Sequence, residues 1–107
     1  MARYKQMDNI CPMAGFLTSL ARPWTLHILW ALRDGQALRF GVLRRQIPGI
    51  SARMLTQRLR QMEEDGFVLR RVVDNAVPEV YYSISHKMQA LQSALDDMHK
   101  IALEHDA

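Results

Sequence analysis

The 107 residues include a single cysteine, Cys11, so no disulfide can close within the chain. Small domains of oxidising compartments lean on such bridges, and this one has none to use. No run of about 18 apolar residues occurs, which excludes a membrane-spanning helix. The first residues, Met1-Ala-Arg-Tyr-Lys-Gln-Met7, lack the apolar stretch of a secretory signal. These absences lead us to expect a cytoplasmic protein. The four histidines (27, 86, 99, 105) show no paired ligand spacing, so no zinc site is expected. No glycine-rich phosphate loop is present. No nucleophile, base and oxyanion arrangement is legible, and Asp96-Asp97 reads as a solvated helix face. Neither an enzyme nor a cofactor is expected. Lysine is scarce, three against eleven arginines.

What is present is an ordinary globular composition, 49% hydrophobic and 23% charged. The length suits one domain over residues 1–107. The net charge of +3 is unevenly spread. Residues 39–71 hold eight arginines against Glu63, Glu64 and Asp65, while residues 72–107 are net acidic. From Arg39 to Arg60 there are six arginines and no acid. An arginine fork suits phosphate and the guanine edge, where lysine is only a point charge. The plain alternative is a solvated Arg-rich surface. The concentration in one segment favours a nucleic-acid footprint.

Pro12 can stand in the first turn of a helix carrying Phe16, Leu17 and Leu20, ended by Ala21-Arg22-Pro23. Pro23 then opens a second helix. Trp24, Leu26, Ile28, Leu29, Ala31 and Leu32 make it apolar almost all round, hence central. Gly35 ends it. Ala37–Phe40 reads as an extended link. Phe40, Leu43 and Ile47 give a short helix stopped by Pro48-Gly49. Ser51 is a good N-cap for the next helix. There Ala52, Leu55, Leu59 and Met62 share one face, and Arg53, Gln57, Arg60 and Gln61 the other. Gly66 closes it.

The period then changes to strand-like. Phe67–Val73 and Val80–Ile84 form a hairpin, with Asp74-Asn75 at its turn and Val77-Pro78 as an extended edge. Ser85 caps a last helix with Met88, Leu91, Leu95, Met98 and Ala102 on one stripe, widened by Ile101 and Leu103. A short helix, a tight turn and a capped polar-faced helix make a helix-turn-helix over 40–65, and the hairpin at 67–84 its wing. The last helix is too apolar to stand alone. It should pack on the first helices or on a second chain, and a homodimer is favoured.

The sequence resembles the HxlR-type group of bacterial transcriptional regulators, relatives of the MarR winged helices. The resemblance rests on Cys11-Pro12, on Trp24-Thr25-Leu26-His27-Ile28-Leu29, and on the stretch from Arg39 to Gly66. Within that stretch it includes Arg39-Phe40-Gly41-Val42-Leu43-Arg44-Arg45, Ile47-Pro48-Gly49-Ile50-Ser51 and Arg53-Met54-Leu55-Thr56-Gln57-Arg58-Leu59-Arg60. Val77-Pro78 and Tyr82-Ser83 fit the family's wing. It implies an α+β, mostly α fold: a winged helix-turn-helix with dimerisation helices at 12–22 and 86–105. It also implies double-stranded DNA as partner and regulation of nearby genes. Some members respond to electrophiles or oxidants through the cysteine of the Cys-Pro pair. Two departures stand out. Ala21-Arg22-Pro23 replaces the family's usual Gly-Gly-Lys before the Trp, and Ser85-His86-Lys87-Met88 replaces its Thr and Gly after the wing. Both fall where the dimer helices join the reading head.

Arg53 and Gln57 are the candidates for base contact, since the N-terminal part of the second helix reaches base edges. Met54 and Arg58 are secondary ones; the alternative for all four is solvent or phosphate alone. Ser51 can bond phosphate, cap its helix, or do both. Arg39, Arg44, Arg45, Arg70 and Arg71 are candidate phosphate clamps. Cys11 is the candidate sensor: helix N-terminal N–H groups favour a reactive thiolate, and Arg3 and Lys5 are near in sequence. The alternative for Cys11 is a small packing residue. Trp24, Trp30 and the methionines read as core or interface before they read as a pocket for a small-molecule effector. The competing function is a winged-helix module that binds a protein partner, which the acid-free segment 39–60 disfavours.

Overall fold

The structure, a computed structural model, describes residues 11–106. Helix α1 covers Pro12–Leu20, with Cys11 as N-cap and Pro12 where a missing N–H costs nothing. It buries Gly15, Ser19 and Leu20, and Phe16 meets Phe67 edge-on with centroids 5.9 Å apart. Helix α2, Thr25–Ala31, is the centre of the core, with Ile28 and Leu29 fully buried.

The start of α2 corrects the sequence reading. Pro23 does not open the helix, and Trp24 is not in it: Trp24 is the N-cap, left-handed at φ 71°. A non-glycine residue there costs on the order of 1–3 kcal/mol and persists only when its surroundings hold it. The ring supplies that hold. It lies 5.0 Å from the His27 ring, centroid to centroid, and its edge reaches Gly49, where an added Cβ would stand 3.8 Å from Cη2.

Strand β1, Leu38–Arg39, leads into helix α3, Phe40–Arg45, which buries Leu43. Pro48-Gly49 turns the chain, with Gly49 at φ 91°. Helix α4, Ala52–Glu64, begins at Ser51, whose hydroxyl accepts from Met54 N–H at 3.0 Å. It buries Leu55, Leu59 and Met62. It ends on Gly66 at φ 78°, where Gly66 N–H donates to Glu63 O and Phe67 N–H to Met62 O. That pair of bonds is the Schellman stop, and it requires the left-handed residue that glycine supplies.

Strands β2, Val68–Val73, and β3, Glu79–Ile84, form the antiparallel wing, with β3 between β2 and β1. The register pairs Val68 with Ile84, Arg70 with Tyr82 and Val72 with Val80. These share one face. Leu69, Arg71 and Val73 share the other with Ser83, Tyr81 and Glu79.

The last segment also departs from expectation. His86–Leu91 is a 3-10 segment, and only Gln92–Asp106 is the α-helix, α5. Ser85 does not cap through its side chain. Its hydroxyl donates to Gly66 O at 2.6 Å and its N–H to Phe67 O at 2.9 Å, so the stop of α4 claims it. The tighter winding that follows accompanies burial of Met88, and Leu95 is buried one stretch on. Met13 and Leu17 on α1, and Met98, Ile101 and Leu103 on α5, stay exposed. The whole is mostly helical with one small sheet, a winged helix-turn-helix. No described helix is long and apolar enough to cross a membrane.

Candidate nucleic-acid interface

Burial of Leu55, Leu59 and Met62 fixes which way α4 faces. The opposite side presents Arg53, Gln57, Arg60 and Glu64, all exposed. Arg53 and Gln57 occupy the first two turns, and the acids Glu63 and Glu64 close the helix. The reading surface is therefore cationic as far as Arg60 and acidic only at its C-terminal end, and its N-terminal end is the one that helix-turn-helix proteins bring to base edges. Met54 and Arg58 lie on a flank and are half-buried. The Nε of Arg58 is enclosed without a hydrogen-bond partner.

Arg44 and Arg45 end α3, where cations suit the helix dipole. Arg44 Nε donates to Ile50 O at 3.3 Å, bracing the turn, while both side chains remain exposed. Arg39 is exposed and also engaged within the fold. It pairs with Glu79 at 3.4 Å, and Glu79 also accepts from Asn75 Nδ2 at 2.9 Å and from the Tyr81 hydroxyl at 3.3 Å. Glu79 thus ties β1, β3 and the wing tip together.

Period-two alternation separates two arginines that are neighbours in sequence. Arg70 shares the Tyr82 face, toward α4, and Arg71 the Tyr81 face, with its Cζ 5.9 Å from the Tyr81 ring centroid. Arg70 and Arg60 line one recess there with Thr56, Glu63 and Tyr82. The candidates drawn from the sequence omit Arg60 and Glu79. The strand alternation that turns Arg70 toward α4 is the signal for the first. The second has none, since Arg39 and Glu79 are 40 residues apart.

The departure at Ser85-His86-Lys87-Met88 also finds its place. Lys87 Nζ donates to Asp65 O at 3.2 Å and stands 5.7 Å from the Phe67 ring centroid. With Ser85 on Gly66 O, it anchors the C-terminal segment to the end of α4. Cys11 is exposed at the N-cap of α1. Arg3 and Lys5, expected near it, lie outside the described residues. Among the described residues, no group of three or more His, Cys, Asp or Glu could hold a metal.

Residues 19–106 match the HxlR-like helix-turn-helix family. A Synechocystis relative, the HTH-type transcriptional regulator sll1512, is 37% identical over 96 residues, covering 90% of this chain and 70% of its own length. The HTH-type transcriptional regulator YodB of Bacillus subtilis is 33% identical over 92 residues, 85% of this chain and 81% of YodB. The solved reduced form of YodB superposes with TM-score 0.75 at 32% identity, covering 86% and 90% of the two chains. The redox regulator HypR in its reduced form gives TM-score 0.79 at 30% identity, covering 89% and 93%. A helix-turn-helix with an arginine-lined recognition helix, in a chain whose relatives are transcriptional regulators, favours DNA over a protein partner. The chain belongs to the HxlR-like helix-turn-helix family of transcriptional regulators.

Proposed function

We propose that the protein acts in the cytoplasm as a homodimer that reads a pseudo-palindromic operator. One observation carries the reading: Arg53 and Gln57 stand exposed together on the outer face of α4, opposite its buried stripe. Arg can be bidentate to guanine and Gln to adenine. Met54 and Arg58, on the flank, contribute less. The Ser51 hydroxyl, Arg44, Arg45 and Arg70 hold the backbone. Arg71 reaches it only from the outer face of the wing, and Arg39 serves the wing through Glu79.

Residues 1–107 act as one unit, with 40–65 as reading head, 67–84 as wing, and 12–22 and 86–105 as dimerisation helices. The exposed apolar residues of α1 and α5 support that division. Two such heads sit one helical turn apart on DNA, roughly 34–36 Å, or a multiple of it. No small-molecule effector is needed for this reading.

Cys11 is the sensor in this reading. Solved forms of YodB include diamide-treated and quinone-bound ones, and HypR is known reduced and oxidised. Cys11 is exposed, and its helix touches the segment after the recognition helix through Phe16 and Phe67. A change at the N-terminus of α1 therefore has a packed route to the end of α4. With one cysteine per chain, oxidation ends as a sulfenic acid, a mixed disulfide with a small thiol, or a bridge to another chain.

Selection of bound sequences from random duplex DNA tests the function. The expected result is an inverted repeat. Recovery of no preferred sequence would contradict it.

A further inference from the structure

The recess between α4 and the wing holds two arginines that nothing in the fold engages. Thr56, Arg60 and Glu63 recur at i, i+4 and i+7 on one flank of α4, and Arg70 and Tyr82 face them as a cross-strand pair. Together they line a space of about 350 Å³. The ion pairs among the described residues are Arg39–Glu79 and Lys100–Asp97, so Arg60, Glu63 and Arg70 are unpaired. Thr56 Oγ1 already donates to Ala52 O at 2.8 Å. The donors left for an incoming anion are therefore the two guanidiniums and the Tyr82 hydroxyl.

We infer that Arg60 and Arg70 jointly hold one phosphodiester of the bound duplex, on the strand that passes between the recognition helix and the wing. The inference rests on the duplex-binding reading above. Guanidinium forks match phosphate oxygens in pairs, and two forks from different elements fix one group's position as well as its charge. The carboxylate of Glu63 lowers the charge of the recess. Two cations and one anion leave +1, which one singly charged diester neutralises in full. Arg60 thereby becomes a positioning residue that sets the depth of α4 in the groove.

Binding to a mixed-sequence duplex across a salt series tests this for wild type, Arg60→Ala, Arg70→Ala, the double variant and Glu63→Gln. All three side chains belong to exposed residues, so these variants keep the fold. One shared phosphate predicts that the double variant loses about one unit of salt slope per subunit, where two separate phosphates would give about two. Glu63→Gln is expected to tighten binding several-fold. A double-variant loss near two units, or none, overturns the shared clamp while wild-type binding leaves the duplex reading intact. So does weaker binding by Glu63→Gln. Absence of salt-dependent binding by wild type overturns both readings.

Discussion

Ser51 is one hydroxyl with room for two duties. Its oxygen accepts from Met54 N–H, and its own proton remains free for a phosphate. The duties separate by substitution. Ser51→Ala is expected to cost about 1 kcal/mol of stability in urea denaturation, and Ser51→Gly only a few tenths, because glycine is a tolerable N-cap. A loss of DNA affinity common to both variants then measures the hydroxyl's contact; retained affinity in both leaves Ser51 a cap alone. Cys11 separates in the same manner. Diamide or a quinone is expected to change operator binding by wild type and not by Cys11→Ser. Identical behaviour of the two proteins would remove the sensing role and leave packing. Gly66 has a simpler account. At φ 78° it is the residue that lets α4 stop where Ser85 and Lys87 can bond the carbonyls just past its end, those of Gly66 and Asp65.

The elements differ in how far local chemistry determines them. Pro48-Gly49, the Ser51 cap and the Leu55, Leu59, Met62 stripe make the helix-turn-helix readable, because each signal acts within a few residues. The wing is readable for the same reason, down to the alternation that parts Arg70 from Arg71. Trp24 is not: a tryptophan at φ 71° is set by what its ring packs on, His27 and the Gly49 turn. Nor is the 3-10 segment after Ser85, since the bonds that draw Ser85 away from capping come from Gly66 and Phe67, nearly twenty residues earlier. Arg39 shows the same limit at the site. Its charge is legible as a clamp, and its partner Glu79 is not. Because that pair is partly exposed, Glu79→Gln is expected to change global stability by less than about 1 kcal/mol. Its effect should appear locally, as faster amide hydrogen exchange at the tip of β2 and β3, where Asn75 and Tyr81 lose their acceptor's charge. Unchanged exchange there would remove Glu79 as the organiser of the wing.

At the scale of the molecule, the unburied apolar residues of α1 and α5 stand apart from the cationic head. Met98, Ile101 and Leu103 are 50%, 65% and 61% exposed, an arrangement that a second copy would cover. Sedimentation at micromolar concentration is expected to show a dimer for wild type and a folded monomer for Ile101→Asp with Leu103→Asp. A wild-type monomer with full operator affinity would contradict the symmetric arrangement. The central claim is narrower than symmetry: α4 reads bases through Arg53 and Gln57, while the surrounding arginines hold the backbone. Its direct measurement is the affinity of Arg53→Ala and Gln57→Ala for the selected operator and for a scrambled duplex, across a salt series. The expected result is a loss of about 1–3 kcal/mol on the operator, relaxed choice at one position per half-site, and little change on the scrambled DNA. Equal weakening of both duplexes would move these side chains to the backbone and contradict the account.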